Sequence, residues 1–277
     1  KYLVATIDAP FDSQLYLVGD CADVDGTCLA GADMVYEPGK ETLVWANDTG
    51  APVAGLLVVD TFLIPDSAQA SLFVELRDLV PPGNDKPYDA PLLTPGVHEM
   101  PGVTVGATGD FDPAGLSCGG AKLPGPDVFW RVALQPGDFL TALAPWSANF
   151  TPVLAVTTDP ADPTACVAVG SLFVAWANEG EQPVEAYLVA DGVTATAAGL
   201  FDVRVESGTP AGCFGPCDPN TYARSCVEGQ ANSMCFCDPN TYVLTAIDCN
   251  AWCRDAHDAL SGTCRVYTTS GFEGTGC

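Results

Sequence analysis

The residues of this chain with the greatest chemical potential are its thirteen cysteines, which can form disulfides, remain as thiols or bind a metal. Cys21 and Cys28 enclose a six-residue loop, which predicts a local disulfide, and Cys118 and Cys166 could join two later loops. The other nine lie in the last 65 residues, at Cys213, Cys217, Cys226, Cys235, Cys237, Cys249, Cys253, Cys264 and Cys277. So many cysteines are typical of proteins that work in an oxidising compartment.

The nine C-terminal cysteines cannot all pair with one another, because their number is odd. One is therefore expected to be a free thiol or to bond another molecule, and Cys213 and Cys277 are the candidates. Zinc binding is the competing interpretation. It is disfavoured because the spacing at Cys235 and Cys237 does not belong to a pair of matched metal knuckles.

Three carboxylates in one tight turn, Asp20, Asp23 and Asp25, form a candidate calcium site. Calcium takes six to eight oxygen ligands, and closely spaced Asp residues beside Gly are one way for a short loop to supply them. The spacing does not follow the EF-hand, so the alternative is an Asp-rich loop that faces water. Asp110 and Asp112 form a second, sparser acidic pair.

Catalytic motifs are missing from the sequence. The two histidines, His98 and His257, have no nucleophile motif near them, and no HExxH, GxSxG or P-loop pattern occurs. The sequence therefore predicts a protein that is not an enzyme.

Trp146 follows a Pro in a loop-like segment and is a candidate interface residue, because tryptophan is enriched at binding hot spots.

The charge balance excludes several classes of partner. The chain has 35 acidic and 10 basic residues, a net charge of −25, which repels nucleic acid. No stretch approaches the ~20 apolar residues that a membrane helix needs, so membrane insertion is not expected. With the cysteine content, these features predict a secreted protein, extracellular or at the cell surface.

The elements that must position these residues are repeated within the chain. Residues 44–60 read VWANDTGAPVAGLLVVD, and residues 175–191 read AWANEGEQPVEAYLVAD. The match continues from 2–6 to 139–143, from 15–18 to 153–156 and from 71–76 to 202–207. A repeat of this kind predicts two copies of one domain.

Short apolar runs separated by Pro-Gly turns are typical of β-strands in a sandwich. We therefore expect an all-β chain: a partial sandwich over 1–77, a linker over 78–90, a complete sandwich over 91–207, a linker over 208–212 and a cysteine-rich module over 213–277. Only in the second copy does a further segment, from about 90 to 138, precede the repeated part; we call this segment the preamble. Either the chain was cut from a longer precursor, or the first copy borrows its missing strands from another molecule, since an open sheet edge can accept one.

Four motifs follow one another in the second copy, at Gly102–Ala107, Gly125–Trp130, Pro136–Leu140 and Tyr187–Gly192. In this order they resemble the bacterial pre-peptidase C-terminal domain, and Cys118 and Cys166 fall where secreted members of that family often carry a pair. The resemblance implies a jelly-roll-like β-sandwich without catalytic activity, found beside secreted peptidases and in surface proteins; some members bind calcium or a polymer such as collagen. Residues 213–277 resemble the small cysteine-rich modules of secreted bacterial proteins.

Together these observations predict a structural or adhesive extracellular protein, a subunit of a surface assembly or filament. Strand complementation or an intermolecular disulfide would join its subunits, and the partner would be the same chain or another surface protein. The alternative is a calcium- or polymer-binding accessory module of a processed secreted peptidase.

Overall fold

The computed structural model describes residues 1–33, 38–61, 69–114, 117–144, 150 and 152–209, and beyond them the backbone of five short strands. Nearly all of the regular structure is β-strand. Short runs rich in Val, Leu and aromatic residues, ended by Gly and Pro turns, favour extended backbone over helix. The one α-helical stretch in these ranges is the single turn Val24–Thr27. No helix of the described residues is long and apolar enough to span a membrane.

The first sandwich consists of two three-stranded antiparallel sheets. Its strands are β1 (Tyr2–Ala9), β2 (Ser13–Val18), β3 (Cys28–Ala32), β4 (Gly39–Ala46), β5 (Leu56–Thr61) and β6 (Ser71–Arg77). The strand orders are β4-β1-β6 and β3-β2-β5. Alternate apolar residues of β1 and β2 point between the sheets, as the two-residue period of a strand requires, and Ile7, Leu15 and Leu43 are fully buried there.

The second sandwich has nine strands. They are β7 (Leu92–Leu93), β8 (Gly96–Val103), β9 (Val128–Leu134), β10 (Phe139–Leu143), β11 (Val153–Thr157), β12 (Cys166–Gly170), β13 (Phe173–Ala177), β14 (Val184–Asp191) and β15 (Leu200–Gly208). The strand orders are β13-β10-β15-β8 and β12-β11-β14-β9-β7. The long strands β8 to β15 form two packed sheets in the order of a jelly roll. The predicted fold class, all-β with tandem sandwiches, is confirmed.

The core of the second sandwich has a layer on each face of the larger sheet. One layer lies between the two sheets and contains Trp130, Leu188 and Val205. The other lies on the outer face, where the segment that connects β8 to β9 covers Ala155 and Val189. A disulfide between Cys118 and Cys166 attaches this connecting segment to β12, with a Cα–Cα distance of 5.3 Å.

Much of the predicted linker over 78–90 is part of the second sandwich. Asn84 exchanges backbone and side-chain hydrogen bonds with Phe129 on β9, and the buried Asp85 carboxylate accepts a hydrogen bond from the Thr108 backbone N–H. Only the first few linker residues lie between the sandwiches, where Leu79 packs on the outer face of the first. The Pro-rich composition here therefore corresponds to an ordered turn region.

The C-terminal module is also built from strands in its described part. These strands are β16 (Ser225–Cys226), β17 (Ser233–Cys237), β18 (Leu244–Asp248), β19 (Arg265–Thr269) and β20 (Phe272–Gly276). The first three form one sheet, and the last two form a hairpin. The side chains of all nine cysteines of this module lie outside the described residues, so the predictions about their pairing, about Cys213 and Cys277 and about zinc stay predictions.

Candidate functional site

The two sandwiches have the same hydrogen-bonding register. Leu3 on β1 lies opposite Trp45 on β4, and Leu140 on β10 lies opposite Trp176 on β13 in the same way. Each sheet order of the first sandwich is contained in a sheet order of the second, with β1 to β6 matching β10 to β15 in sequence. Every position in the first sandwich can therefore be compared with its counterpart in a complete sandwich.

This comparison shows which strands the first sandwich lacks. In the second sandwich β15 pairs with β8 over eight residue pairs, and β14 pairs with β9 over seven. Their counterparts β6 and β5 have no such neighbour among the described residues. Both sheets thus end on the same side of the sandwich, which we call the open side and define as β5 together with β6. Within the described residues the outer edges of β5 and β6 have no ladder partner, which is the condition that makes an edge strand a template for another strand.

Inward-facing side chains of β6 are also uncovered on the open side. Leu72 and Val74 face the core, because they lie opposite buried residues of β1, yet they are 44% and 54% exposed. Their counterparts Val203 and Val205 are 1% and 0% exposed. Leu76, one pair further along, is 68% exposed. Three apolar side chains thus point toward a core that does not extend over them.

The cover that they lack is identifiable in the second sandwich. There β9 closes the core with four inward-facing side chains, each no more than 3% exposed: Val128, Trp130, Val132 and Leu134. In the first sandwich a cavity opens instead into the core beside Leu3, Trp45 and Leu76. The missing element is therefore a strand with alternating large apolar residues.

Cys28 stands at the position that the disulfide occupies in the second sandwich. A β-bulge interrupts the ladder between Leu17 and Val18, and an identical bulge interrupts it between Val156 and Thr157. The residue after each bulge lies opposite a cysteine in the ladder: Val18 lies opposite Cys28, and Thr157 lies opposite Cys166. Each Sγ also lies 3.7 Å from the carbonyl oxygen two residues further along the strand.

The predicted disulfide between Cys21 and Cys28 is not formed in the structure, where both residues are free and exposed. Backbone and hydroxyl hydrogen bonds close the loop instead: Gly19 N–H donates to the Thr27 carbonyl, and the Thr27 hydroxyl donates to the carbonyl oxygens of Asp20 and Asp23. The loop therefore needs no covalent bond to hold its shape. Cys166, the counterpart of Cys28, bonds a cysteine from the segment that connects β8 to β9, and no counterpart of this segment is among the described residues of the first sandwich.

The ladders also correct the sequence alignment of one strand. Residues 15–18 match 154–157, and not 153–156 as the sequence comparison predicts, because the bulges fix the correspondence. A shift of one residue would turn the core side chains of β2 outward.

Asn47, beside the open side, corresponds to an asparagine that contacts β9 in the second sandwich. The Asn178 side chain donates to the Gln182 carbonyl at 2.9 Å and to the carbonyl of Leu134, the last residue of β9, at 3.2 Å. Its counterpart Asn47 makes the same local turn by donating to the Ala51 carbonyl at 2.8 Å. Asn47 is more exposed than the buried Asn178, because no strand in the described part of the chain lies beside it as β9 lies beside Asn178. The repeated Trp-Ala-Asn motif thus contains a side chain that contacts the missing strand.

The three aspartates of the candidate calcium loop do not form a metal site in the structure. Asp20 accepts a hydrogen bond from the Ala22 N–H, and Asp23 caps the helical turn by accepting from the Gly26 N–H. Within the described residues no group of three acidic, His or Cys side chains is arranged to hold a metal ion. The Asp20 and Asp23 carboxylates therefore stabilise this loop by accepting hydrogen bonds from its backbone N–H groups.

The acidic pair near Asp110 has partners of its own. Asp110 forms an ion pair with Lys86 at 2.7 Å, and the Leu123 N–H donates to Asp112. The first contact joins the connecting segment to residues 78–90, and the second lies within the connecting segment.

Two buried carboxyls of the second sandwich are strongly perturbed. Burial raises the pKa of Asp127 to about 7, although the N–H groups of Asp110 and Phe111 donate to it. Burial and the neighbouring Asp127 raise the pKa of Asp191 to about 8, against a hydrogen bond from the Gly125 N–H. Both side chains hold the connecting segment to the sheet. The counterpart of Asp191 is the exposed Asp60 in the first sandwich.

The remaining candidate residues do not gather into a site. The His98 ring donates from Nε2 to the Thr94 carbonyl oxygen at 2.7 Å on the edge strand β8. His257 and Trp146 lie outside the described residues, so the interface role of Trp146 stays a prediction.

Comparisons with known proteins add little. No family model and no curated protein matches the chain. Among solved structures the chain is similar to the CUB1-EGF-CUB2 domain of human MASP-1/3, with 8% sequence identity and a TM-score of 0.19 over 74% of this chain and 89% of that one. Similarity at this level carries no argument about function.

Proposed function

We propose that this chain is a non-enzymatic extracellular protein with a structural or adhesive role, and that it is a subunit of a surface assembly. In this assembly a strand-supplying chain completes the first sandwich. The observation that carries the proposal is the open side: two adjacent strand edges, above a core whose inward-facing side chains are exposed. Addition of a strand to such an edge is an established mode of protein recognition.

The physical gain from completion is substantial. Leu72, Val74 and Leu76 are each roughly half exposed, so covering them would contribute roughly 1 kcal/mol for each side chain. Backbone pairing along β5 and β6 would satisfy polar groups that otherwise bond to water. Because the contact joins unlike surfaces, it gives a chain or filament where every subunit of the assembly both accepts and supplies such a segment.

The extracellular location has separate support. Thirteen cysteines and a disulfide in the second sandwich fit an oxidising compartment, where disulfides persist. The resemblance of the second sandwich to pre-peptidase C-terminal domains points the same way, to secreted and surface proteins. The surplus of acidic residues favours solubility and disfavours contact with anionic polymers.

The test compares the protein isolated from the surface of the cells that produce it with the purified chain, by sedimentation velocity and electron microscopy. We expect the native material to form regular multimers. Leu76→Lys, which puts a charge on the open side, should prevent incorporation. Val97→Lys is the matched control: Val97 is 47% exposed on the edge strand β8 of the complete sandwich, and its variant should incorporate normally. Monomeric native protein, or equal behaviour of the two variants, would contradict the proposal.

A further inference from the structure

We infer that Cys28 is a covalent attachment site for the segment that completes the first sandwich. The segment bonds Cys28 through a cysteine placed between its two strands. This inference rests on the proposed function and adds to it the chemistry of the partner: a stretch of another polypeptide that resembles residues 92–138 of this chain.

The second sandwich shows the arrangement in its finished form. Cys166 occupies the counterpart position of Cys28, directly after the same β-bulge, and its Sγ has the same 3.7 Å contact with a strand carbonyl. Its disulfide partner Cys118 lies in the segment that connects β8 to β9. These two strands are the ones whose counterparts the first sandwich lacks. Hence the partner of Cys28 belongs to the missing half and not to the strands present.

The outer face of the β3-β2-β5 sheet supports the same conclusion. In the second sandwich the connecting segment covers Ala155 and Val189, which are fully buried. Their counterparts in the first sandwich, Tyr16 and Val58, are partly exposed. A segment that crossed this face toward Cys28 would cover both side chains. The thiol therefore lies on a sheet whose outer face leaves Tyr16 and Val58 partly exposed, and it is itself exposed and free to react.

These features specify the occupant. It has a first strand that pairs with β6, a connection with a cysteine, and a second strand that pairs with β5 and has large apolar residues at alternate positions. The carbonyl at the end of this second strand would accept a hydrogen bond from the Asn47 side chain, as that of Leu134 does from Asn178. A second copy of this chain does not supply this segment, because its residues 92–138 are built into its own second sandwich. Under the proposed function the donor is the strand-supplying chain of the assembly.

The bond forms by thiol–disulfide exchange. The Cys28 thiolate attacks a small-molecule disulfide such as oxidised glutathione and releases one thiolate, which takes up the proton lost by Cys28. The donor cysteine then attacks the mixed disulfide, releases the second small thiol and leaves the protein–protein disulfide. Two protein thiols are oxidised and one small disulfide is reduced to two thiols.

Peptide mapping of the native assembly tests this directly. The assembly is alkylated without reduction, digested and analysed by mass spectrometry. Trypsin leaves Cys21 and Cys28 on one peptide, because no Lys or Arg occurs between Lys1 and Lys40. Cleavage before Asp separates them, since Asp23 and Asp25 lie between the two cysteines. We expect the peptide that contains Cys28 to be joined to a peptide of another chain whose cysteine lies between two strand patterns.

Variants separate this inference from the proposed function. Cys28→Ser should still form multimers, but these should dissociate in detergent without reductant, whereas the natural assembly should not. Cys21→Ser is the matched control, a neighbouring exposed free cysteine, and its assembly should resist detergent like the natural one. If the natural assembly forms while Cys28 is alkylated, or bonded to Cys21 or to a C-terminal cysteine, the inference is wrong although the proposed function stands. If Cys28 is bonded to residues of its own polypeptide before Lys1, or if no assembly forms, the proposed function itself fails.

Discussion

The sharpest prediction compares one substitution at two equivalent positions. Val74 and Val205 occupy the same place in their sandwiches, opposite Ala5 and Ala142 respectively, and both face the core. Val205 is fully buried, whereas Val74 is 54% exposed. Replacing each by Ala removes the same atoms, so any difference in effect reports only how well each position is covered.

The magnitude follows from the burial. Val205→Ala removes two buried carbons and leaves a cavity, so it should lower the free energy of unfolding of the second sandwich by about 2–3 kcal/mol. Val74→Ala should lower that of the first sandwich by less than about 1 kcal/mol in the purified chain, since about half of the side chain already contacts water. In an assembly that completes the first sandwich, the effect of Val74→Ala should rise toward that of Val205→Ala.

Hydrogen exchange read by mass spectrometry resolves the two sandwiches. The amides of β1 report the opening of the first sandwich, and those of β10 report the opening of the second, because these strands are equivalent and central in their sheets. Equal losses of protection from the two variants in the purified chain would refute the reasoning. They would mean that part of the chain itself already covers Val74.

Three further predictions concern the fold that positions the site. Burial raises the pKa of Asp127 to about 7 and that of Asp191 to about 8, so these carboxyls lose their protons at a lower pH in the unfolded chain than in the folded one. The second sandwich should therefore lose stability as the pH rises from about 4 to about 8. Asp127→Asn should make the melting temperature of the second sandwich depend less on pH, and a melting temperature of the natural chain that rises over this interval would contradict the raised pKa values. Cys118→Ser should lower the free energy of unfolding of the second sandwich by about 4 kcal/mol, the chain-entropy value for a cross-link of this span, and leave the first sandwich unchanged in calorimetry. Asn178→Ala, which breaks a buried hydrogen bond to β9, should cost about 2 kcal/mol by chemical denaturation, while Asn47→Ala should cost under about 1 kcal/mol, and equal costs would show that the contact with Leu134 contributes nothing.

The fold was predictable because its repeat has strong landmarks. Trp45 and Trp176 align β4 and β13 without a gap, and the two apolar runs that follow have identical lengths, so the repeat and the incompleteness of its first copy could be inferred from spacing alone. The jelly-roll arrangement was implied only by the family resemblance. The register of β2 could not be inferred in this way. The sequences LYLV in β2 and VLAV in β11 are apolar at every position, so alternation does not show which residues face inward. In addition, the loop before Cys28 is one residue longer than the loop before Cys166.

The part of the candidate site that sequence reasoning missed depends on long-range pairing. The nearest cysteine to Cys28 is Cys21, and a short loop between them predicts a local bond. Only the β-bulge shared by the two ladders shows that Cys28 corresponds to Cys166, and only the path of the connecting segment shows which part of a complete sandwich supplies the partner of Cys166. The role of Asn47 left a signal that could have been used, because the asparagine occurs at the same place in both copies.

The residues of the open side themselves argue against permanent exposure. Natural edge strands are protected by charged or Pro residues and by short length, which prevent unwanted pairing. β6 is seven residues long and has Leu72, Val74 and Leu76 at the three positions that face inward, a more apolar set than Val203, Val205 and Ser207 in the buried counterpart. Its charged residues, Glu75 and Arg77, alternate with these and point to the opposite face. The strand therefore has the residue pattern of one that is buried on its inner face. Completion by a partner would bury that face, whereas selection on a permanently open edge would remove these apolar residues.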